Sequence, residues 1–215
     1  MEEILNKYSL LNDINVPRGT FDDFENFVGM LQRKNEEFNI ISKKTAKNDV
    51  IRQRHIIDSA QIIEFIDLNS KIIIDIGSGG GMPGIIISIM LKNMRRSPKV
   101  HLYEKSHHKS KFLRNVSREL KLNTQIIKQN IFEAQNLESG TIMARAFKPL
   151  PIVLDLVNKN FINYKNLILF MGKNGEKILK ETQADWDFDF EKKESITSKE
   201  SFVLNIKNIK KKTKN

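Results

Sequence analysis

Residues 71–84 read Lys-Ile-Ile-Ile-Asp-Ile-Gly-Ser-Gly-Gly-Gly-Met-Pro-Gly, and no other stretch restricts the fold of this chain as much. Three consecutive isoleucines suit a strand buried on both faces of a parallel sheet. The glycines that follow predict a tight turn into a helix, whose N-terminal N–H groups and positive dipole suit an anion. From Gly79 the loop satisfies G-x-G-x-x-G with Gly81 and Gly84, a pattern shared with nucleotide-phosphate sites. From Asp75 it reads differently, as an acid followed by glycines at 77, 79 and 81. A carboxylate at the mouth of the turn repels a pyrophosphate and attracts an ammonium, while the glycines let a ligand approach the backbone. A structural turn accounts for one or two glycines, not for five with an acid in this register.

The next strand supplies a second acid. Val100-His101-Leu102-Tyr103 ends on Glu104, where a carboxylate can accept from both hydroxyls of a ribose. Between them, an apolar helix is expected over Gly84–Met94, with Pro83 near its first turn. A ligand with an amino-acid ammonium and a ribose but no phosphate points to S-adenosylmethionine as cofactor. The acid–glycine signature resembles the first motif of Rossmann-like methyltransferases.

The rest of the chain fits a mostly parallel, doubly wound α/β sheet. Strands are predicted over 71–76, 99–104, 124–128, near 141–145 and over 166–171, and helices over 83–94, 107–121 and from about 149–151. Trp186, Phe188 and Phe190 alternate, as do Phe202, Leu204 and Ile206, which predicts two antiparallel strands closing the sheet edge. The final Lys-Lys-Lys-Thr-Lys-Asn reads as an unstructured basic tail. Upstream, Thr20 with Asp23 resembles a capping box, and Phe21, Phe24, Phe27, Val28, Leu31 and Phe38 fall at helical spacing as core. A second helix is expected over 49–65, then a polar turn at 67–70. The expected division is therefore a helical extension, 1–68, and a Rossmann-like domain, 69–215.

A chain of 215 residues is long enough for one sizeable core. With no cysteine there is no disulfide framework and no thiolate nucleophile or metal site. The four histidines do not pair with carboxylates at ligand spacings, so no metal is expected. No apolar run approaches a membrane span, and Met1-Glu2-Glu3 is unlike a secretion signal, which predicts a cytoplasmic protein without a membrane partner. A monomer is expected. Lys and Arg number 36 against 26 acids, a formal net charge of +10. Richness in Lys, Asn and Ile fits a codon bias, but the basic residues also cluster, at Lys43-Lys44-Lys47, Arg52 with Arg54, Arg95-Arg96, Lys105 to Arg114 and Lys207 to Lys214. Such a surface suits a phosphate-rich substrate.

Three segments, in order, carry a more specific resemblance: Arg54-His55-Ile56-Ile57-Asp58-Ser59-Ala60-Gln61, the loop Asp75–Gly84, and Ala144-Arg145-Ala146-Phe147. Together they resemble the small-subunit ribosomal RNA guanine-N7 methyltransferase family, also called glucose-inhibited division protein B, from about Leu31 to Gly172. Two positions depart from the family pattern. Lys34 stands where a tryptophan is usual, and the family's Lys-Gly after the fifth strand is Met171-Gly172-Lys173 here.

The resemblance implies S-adenosylmethionine-dependent methylation of guanine N7 in 16S ribosomal RNA, with the RNA or the small ribosomal subunit as partner. It implies that Gly77 and Met82, with Asp75 and Gly79 of the same loop, line the cofactor, that Glu104 holds its ribose, and that Ile131 and Phe132 border the adenine. Arg145 would sit beside the cofactor and the incoming base, as cofactor contact and catalytic residue. An arginine at the end of an apolar strand is costly unless it meets an anion or a ligand. His55 and Asp58 have two readings, a buried pair fixing the N-terminal helix or direct participation. Other functions remain open from the residues alone: a methyltransferase for a protein or small molecule, a dinucleotide-dependent oxidoreductase, or a non-catalytic RNA-binding module. Asp75 and Pro83 count against the oxidoreductase.

Overall fold

A computed structural model describes residues 6–213, except positions 13, 15, 18, 43 and 44. The readings made on residues 1–3, on Lys43 and Lys44, and on the last two residues lie outside the described set. Seven strands form one sheet in the order β3-β2-β1-β4-β5-β7-β6. They are β1 Ile72–Ile76, β2 Lys99–Tyr103, β3 Thr124–Ile127, β4 Leu137–Ala144, β5 Phe161–Met171, β6 Trp186–Glu194 and β7 Phe202–Lys211. The first five are mutually parallel, and β7 runs antiparallel to both β5 and β6. The chain order reverses between β1 and β4, which opens a crevice beyond the C-terminal ends of those strands.

Both faces are covered, as a strand with four isoleucines in five residues requires. Ile73 belongs to one core cluster, and Ile74 and Ile76 belong to another across the sheet. On the first face lie α1 (Gly19–Glu37), a broken α2, α3 (Gly84–Asn93) and α4 (His107–Glu119). On the second lie α5 (Leu150–Asn160) and α6 (Gly175–Thr182), with the aromatic residues of β6. Helix α1 packs on α3 and α4 through Phe24, Phe27 and Leu31, each fully buried. Burying a side chain of that size contributes about 2 kcal/mol.

Several boundaries differ from the sequence reading, each for a physical reason. The helix expected over 49–65 is interrupted: α2 runs as Asn48–Ile51, widens to a π-helical stretch over Arg52–Ile57, and closes as Asp58–Ala60. Thr20 lies inside α1 with its hydroxyl unpartnered, so the capping box does not form. Asp23 instead accepts from Lys92 Nζ and Asn93 Nδ2 of α3, each at 2.9 Å. Phe38 lies beyond the end of α1 and is 40% exposed, outside the core expected for it. Strand β5 starts five residues early because backbone pairing to β4 continues through the polar Asn163 and Tyr164, which hydropathy does not register. Lys210 and Lys211 are not tail residues: they pair with Asp187 and Trp186 in the sheet. Helix α6 had no counterpart in the sequence reading.

Candidate active site

Alternation along β1 puts Asp75 on the same face as Ile73, beneath α3. The carboxylate expected at the mouth of the turn is therefore fully buried and does not line the cavity. Its Oδ2 accepts from the Gly84 N–H at 3.0 Å, the first residue of α3, where a negative group suits the helix dipole. Oδ1 has no partner. Burial pushes the carboxyl up to about 7, opposed by hydrogen bonds from Ser78 and Gly84 and reinforced by Glu104. Asp75 thus ties the strand to the helix across the loop and organises it from below.

The glycines form the upper surface of that loop. Gly77, Gly79 and Gly81 all have positive φ, at +68°, +55° and +98°. A Cβ on Gly77 would fall 2.3 Å from the Phe147 ring, so side chain and backbone geometry both demand glycine there. Glu104 follows β2 and is nearly buried. Its Oε2 accepts from Gly79 N–H at 2.9 Å and its Oε1 from Ser106 N–H at 2.7 Å, so one carboxylate links the loop to the cap of α4. It lines the cavity beside the loop.

That cavity has a volume of about 700 Å³, within the range of small-molecule and cofactor sites. Gly77, Gly79, Met82, Glu104, Ile131 and Phe132 all contribute to its wall. Ile131 is buried and Phe132 is exposed, in a short turn capped by the Asn130 side chain. The Asn160 amide donates to the Phe132 and Ala134 carbonyls, fixing that turn on α5. The Phe132 ring stacks on Phe147 at 5.9 Å between centroids. Phe147, the last residue of the Ala-Arg-Ala-Phe segment, lines the cavity with no role foreseen from the sequence, and Lys105, Lys109 and Lys148 join it at the wall.

Arg145 ends up between two cavities. It borders the one just described and a second, of about 460 Å³, with Arg54, Asp58, Gly172 and the β6–β7 hairpin. Its guanidinium turns toward α2: Nη2 meets Asp58 Oδ2 at 2.8 Å and donates to the Arg54 carbonyl, Nη1 lies 3.4 Å from His55 Nδ1, and the group stacks over Phe170. His55 and Asp58 are therefore not a pair with each other; both meet Arg145. Asp58 Oδ1 also accepts from Gln61 Nε2, Ser195 Oγ and Thr197 Oγ1 at 2.8, 3.2 and 3.0 Å, which fastens the hairpin to α2. Burial lowers the Arg145 pKa and Asp58 opposes that shift. Burial, then Arg145 and Arg54, push His55 down to about 4, so its imidazole is neutral near pH 7. Its Nε2 is buried without a partner. Lys173 follows Gly172 of the second cavity but is not among its lining residues; it is exposed and 3.4 Å from Glu200. Among the described residues no three of His, Asp and Glu gather as a metal-ligand set, and no helix is long and apolar enough to cross a membrane.

A parallel sheet with this strand order, a glycine loop over β1 and a carboxylate closing β2 define a Rossmann-like S-adenosylmethionine-dependent methyltransferase. Solved structures agree on the fold. A SAM-dependent methyltransferase from Aquifex aeolicus superposes with a TM-score of 0.55 at 13% identity, over 73% of this chain and 92% of that one. A variant of MtNAS in complex with S-adenosylmethionine gives 0.55 at 15% identity, over 83% and 72%. Sequence comparison is narrower. The family rRNA small subunit methyltransferase G (GidB) matches residues 20–207. The ribosomal RNA small subunit methyltransferase G of Pelagibacter ubique is 73% identical over 99% of this chain and 100% of its own length. The protein of that name from Rickettsia felis is 34% identical over 91% and 97%. The chain belongs to the rRNA small subunit methyltransferase G family.

Proposed function

We propose that this chain methylates N7 of a guanine in 16S ribosomal RNA. The single observation that carries the reading is the joining of the three motif segments at one crevice: the glycine loop under one cavity, Arg145 and His55 on its wall, and Asp58 with Arg145 on a second beside it. Bound in the first cavity, S-adenosylmethionine supplies a methyl group already activated on a sulfonium. The residues fit it: glycines with no Cβ along the floor, Glu104 for ribose hydroxyls, Met82, Ile131 and Phe132 as the apolar border. In this reading Asp75 acts from beneath by shaping the loop. The extension, 1–68, brings Arg54, His55 and Asp58 to the Rossmann-like domain, 69–215, and in this reading the protein works in the cytoplasm as a monomer.

Guanine N7 has an in-plane lone pair and no proton. Accepting a methyl group would leave the positive charge on the base, with no proton to be removed. No general base is required. The task left to the protein is alignment and exclusion of water. Arg145 serves as a positioning residue: held by Asp58, it fixes the wall that both cavities share. Reaching N7 favours a guanine splayed from a loop, while lysines at the rim meet phosphates without reading sequence.

The test is incubation of the protein and S-adenosylmethionine with small-subunit RNA, followed by digestion and mass spectrometry. A single 7-methylguanosine is expected. Methyl transfer to protein alone, or none to RNA, would overturn the reading. Calorimetric titration with NAD separates the oxidoreductase alternative, which requires NAD to bind.

A further inference from the structure

Phe38 lies just beyond α1, 40% exposed, with its ring stacked on His108 at 4.5 Å between centroids and 22° between planes. The Lys34 ammonium sits 4.5 Å from the centre of the same ring. His108 is exposed at the start of α4, and Lys109 beside it lines the cofactor cavity, as does Ile40 two residues after Phe38. A single exposed ring is ordinary on a protein surface, but this one carries an imidazole and an ammonium against it at the rim of the cleft. An ammonium and an imidazole against it make a protein apolar surface a poor match and an anionic aromatic polymer a good one.

We propose that the Lys34–Phe38–His108 pile is a docking platform for one unstacked RNA base flanking the target guanine. The base takes the place of the Lys34 ammonium on the Phe38 ring, and Lys34, held only by the exposed Glu37, swings to the adjoining phosphate. Bases stack on aromatic side chains whatever their identity, so the platform adds grip and orientation without sequence choice. The inference rests on RNA being the substrate.

The experiment compares Phe38→Ala, Phe38→Leu and Phe38→Trp in full-length protein, measuring KM for naked small-subunit RNA, the Kd for S-adenosylmethionine, and the thermal midpoint. Loss of one stacked base raises KM about tenfold in the Ala and Leu variants, while Phe38→Trp keeps wild-type KM and the cofactor Kd does not move. The natural chain has one tryptophan, the buried Trp186, so emission from Phe38→Trp reports the platform, and RNA should quench it. Unchanged KM in Phe38→Ala and Phe38→Leu, with a lowered thermal midpoint, would reduce the pile to packing between α1 and α4 and overturn the proposal. So would a defect seen with assembled subunits but not with naked RNA, since the platform would then meet protein. Quenching by RNA in a protein that transfers no methyl to it would support the platform while removing the proposed function.

Discussion

The two walls of the cleft are built on different principles. The wall over β1 and β2 is almost entirely backbone: glycines at positive φ, with Asp75 and Glu104 each accepting N–H groups from the same loop. The wall beside β4 is mostly side chain. Arg145, Asp58 and Ser195 come from segments about ninety and fifty residues either side of the arginine and meet through its fork and one carboxylate. The first wall is preorganised by residues adjacent in sequence and presents surface to a ligand. The second is an ionic knot whose groups satisfy one another. Breaking them should therefore have different consequences, one in affinity and the other in stability and alignment.

The largest expected effect is on the backbone wall. Gly77→Ala adds a methyl that the Phe147 ring occupies and forces an L-residue into left-handed backbone. Affinity for S-adenosylmethionine should fall about 100-fold, close to 3 kcal/mol, with the far-ultraviolet circular dichroism unchanged. Binding of normal strength would show that the ligand does not lie on the loop. On the side-chain wall, Asp58→Ala leaves the Arg145 guanidinium buried without its counter-charge and frees the hairpin. Denaturant unfolding should show a loss of about 3 kcal/mol, with cofactor affinity in the surviving folded protein nearly unchanged. Equal losses from both variants in affinity would erase the distinction between the walls.

The first wall was legible in the sequence because its parts are contiguous: strand, loop and helix follow from residues 71–94, and the period of two even fixed which face Asp75 takes. Position at the strand end alone suggests the mouth of the turn, whereas the alternation directs the acid beneath α3. The second wall was legible only as a set of motifs. Nothing in Arg-His-Ile-Ile-Asp-Ser says that its carboxylate meets Arg145, because that contact depends on the π-helical turn of α2 and on the hairpin from the far end of the chain. The same limit applies to Phe38. Helical spacing assigned it to the core, but α1 ends one residue short of it.

A smaller effect, in pH, opposes the walls directly. Asp75 is raised from 3.8 to about 7 by burial, so the folded chain keeps a proton that the unfolded one releases, and stability is lost as pH rises across that interval. His55 is lowered from 6.5 to about 4 by burial, so the unfolded chain takes up the proton first and stability is lost as pH falls through that interval. Between about pH 4 and 6.5 the two slopes oppose each other, each at most about 1.4 kcal/mol per pH unit. Relative to wild type, Asp75→Asn should gain stability as pH rises through this window, and His55→Gln should lose it. Urea midpoints at a series of pH values would show this, and parallel curves would mean that neither group changes its protonation on folding.

The smallest perturbation is salt. Methylation should weaken steeply as salt rises, since bound phosphates release counterions, while cofactor affinity stays nearly level. Equal slopes would count against RNA at the lysine-lined rim.

The division of labour between the walls is tested most directly by single-turnover methyl transfer in Arg145→Ala and Arg145→Lys, at saturating cofactor and RNA and corrected for folded fraction. The account predicts that the transfer rate falls about 100-fold or more in Arg145→Ala, and less in Arg145→Lys, while the Kd for S-adenosylmethionine stays within a few-fold of wild type. A wild-type transfer rate in folded Arg145→Ala would contradict it and leave this arginine a structural clasp between α2 and the sheet.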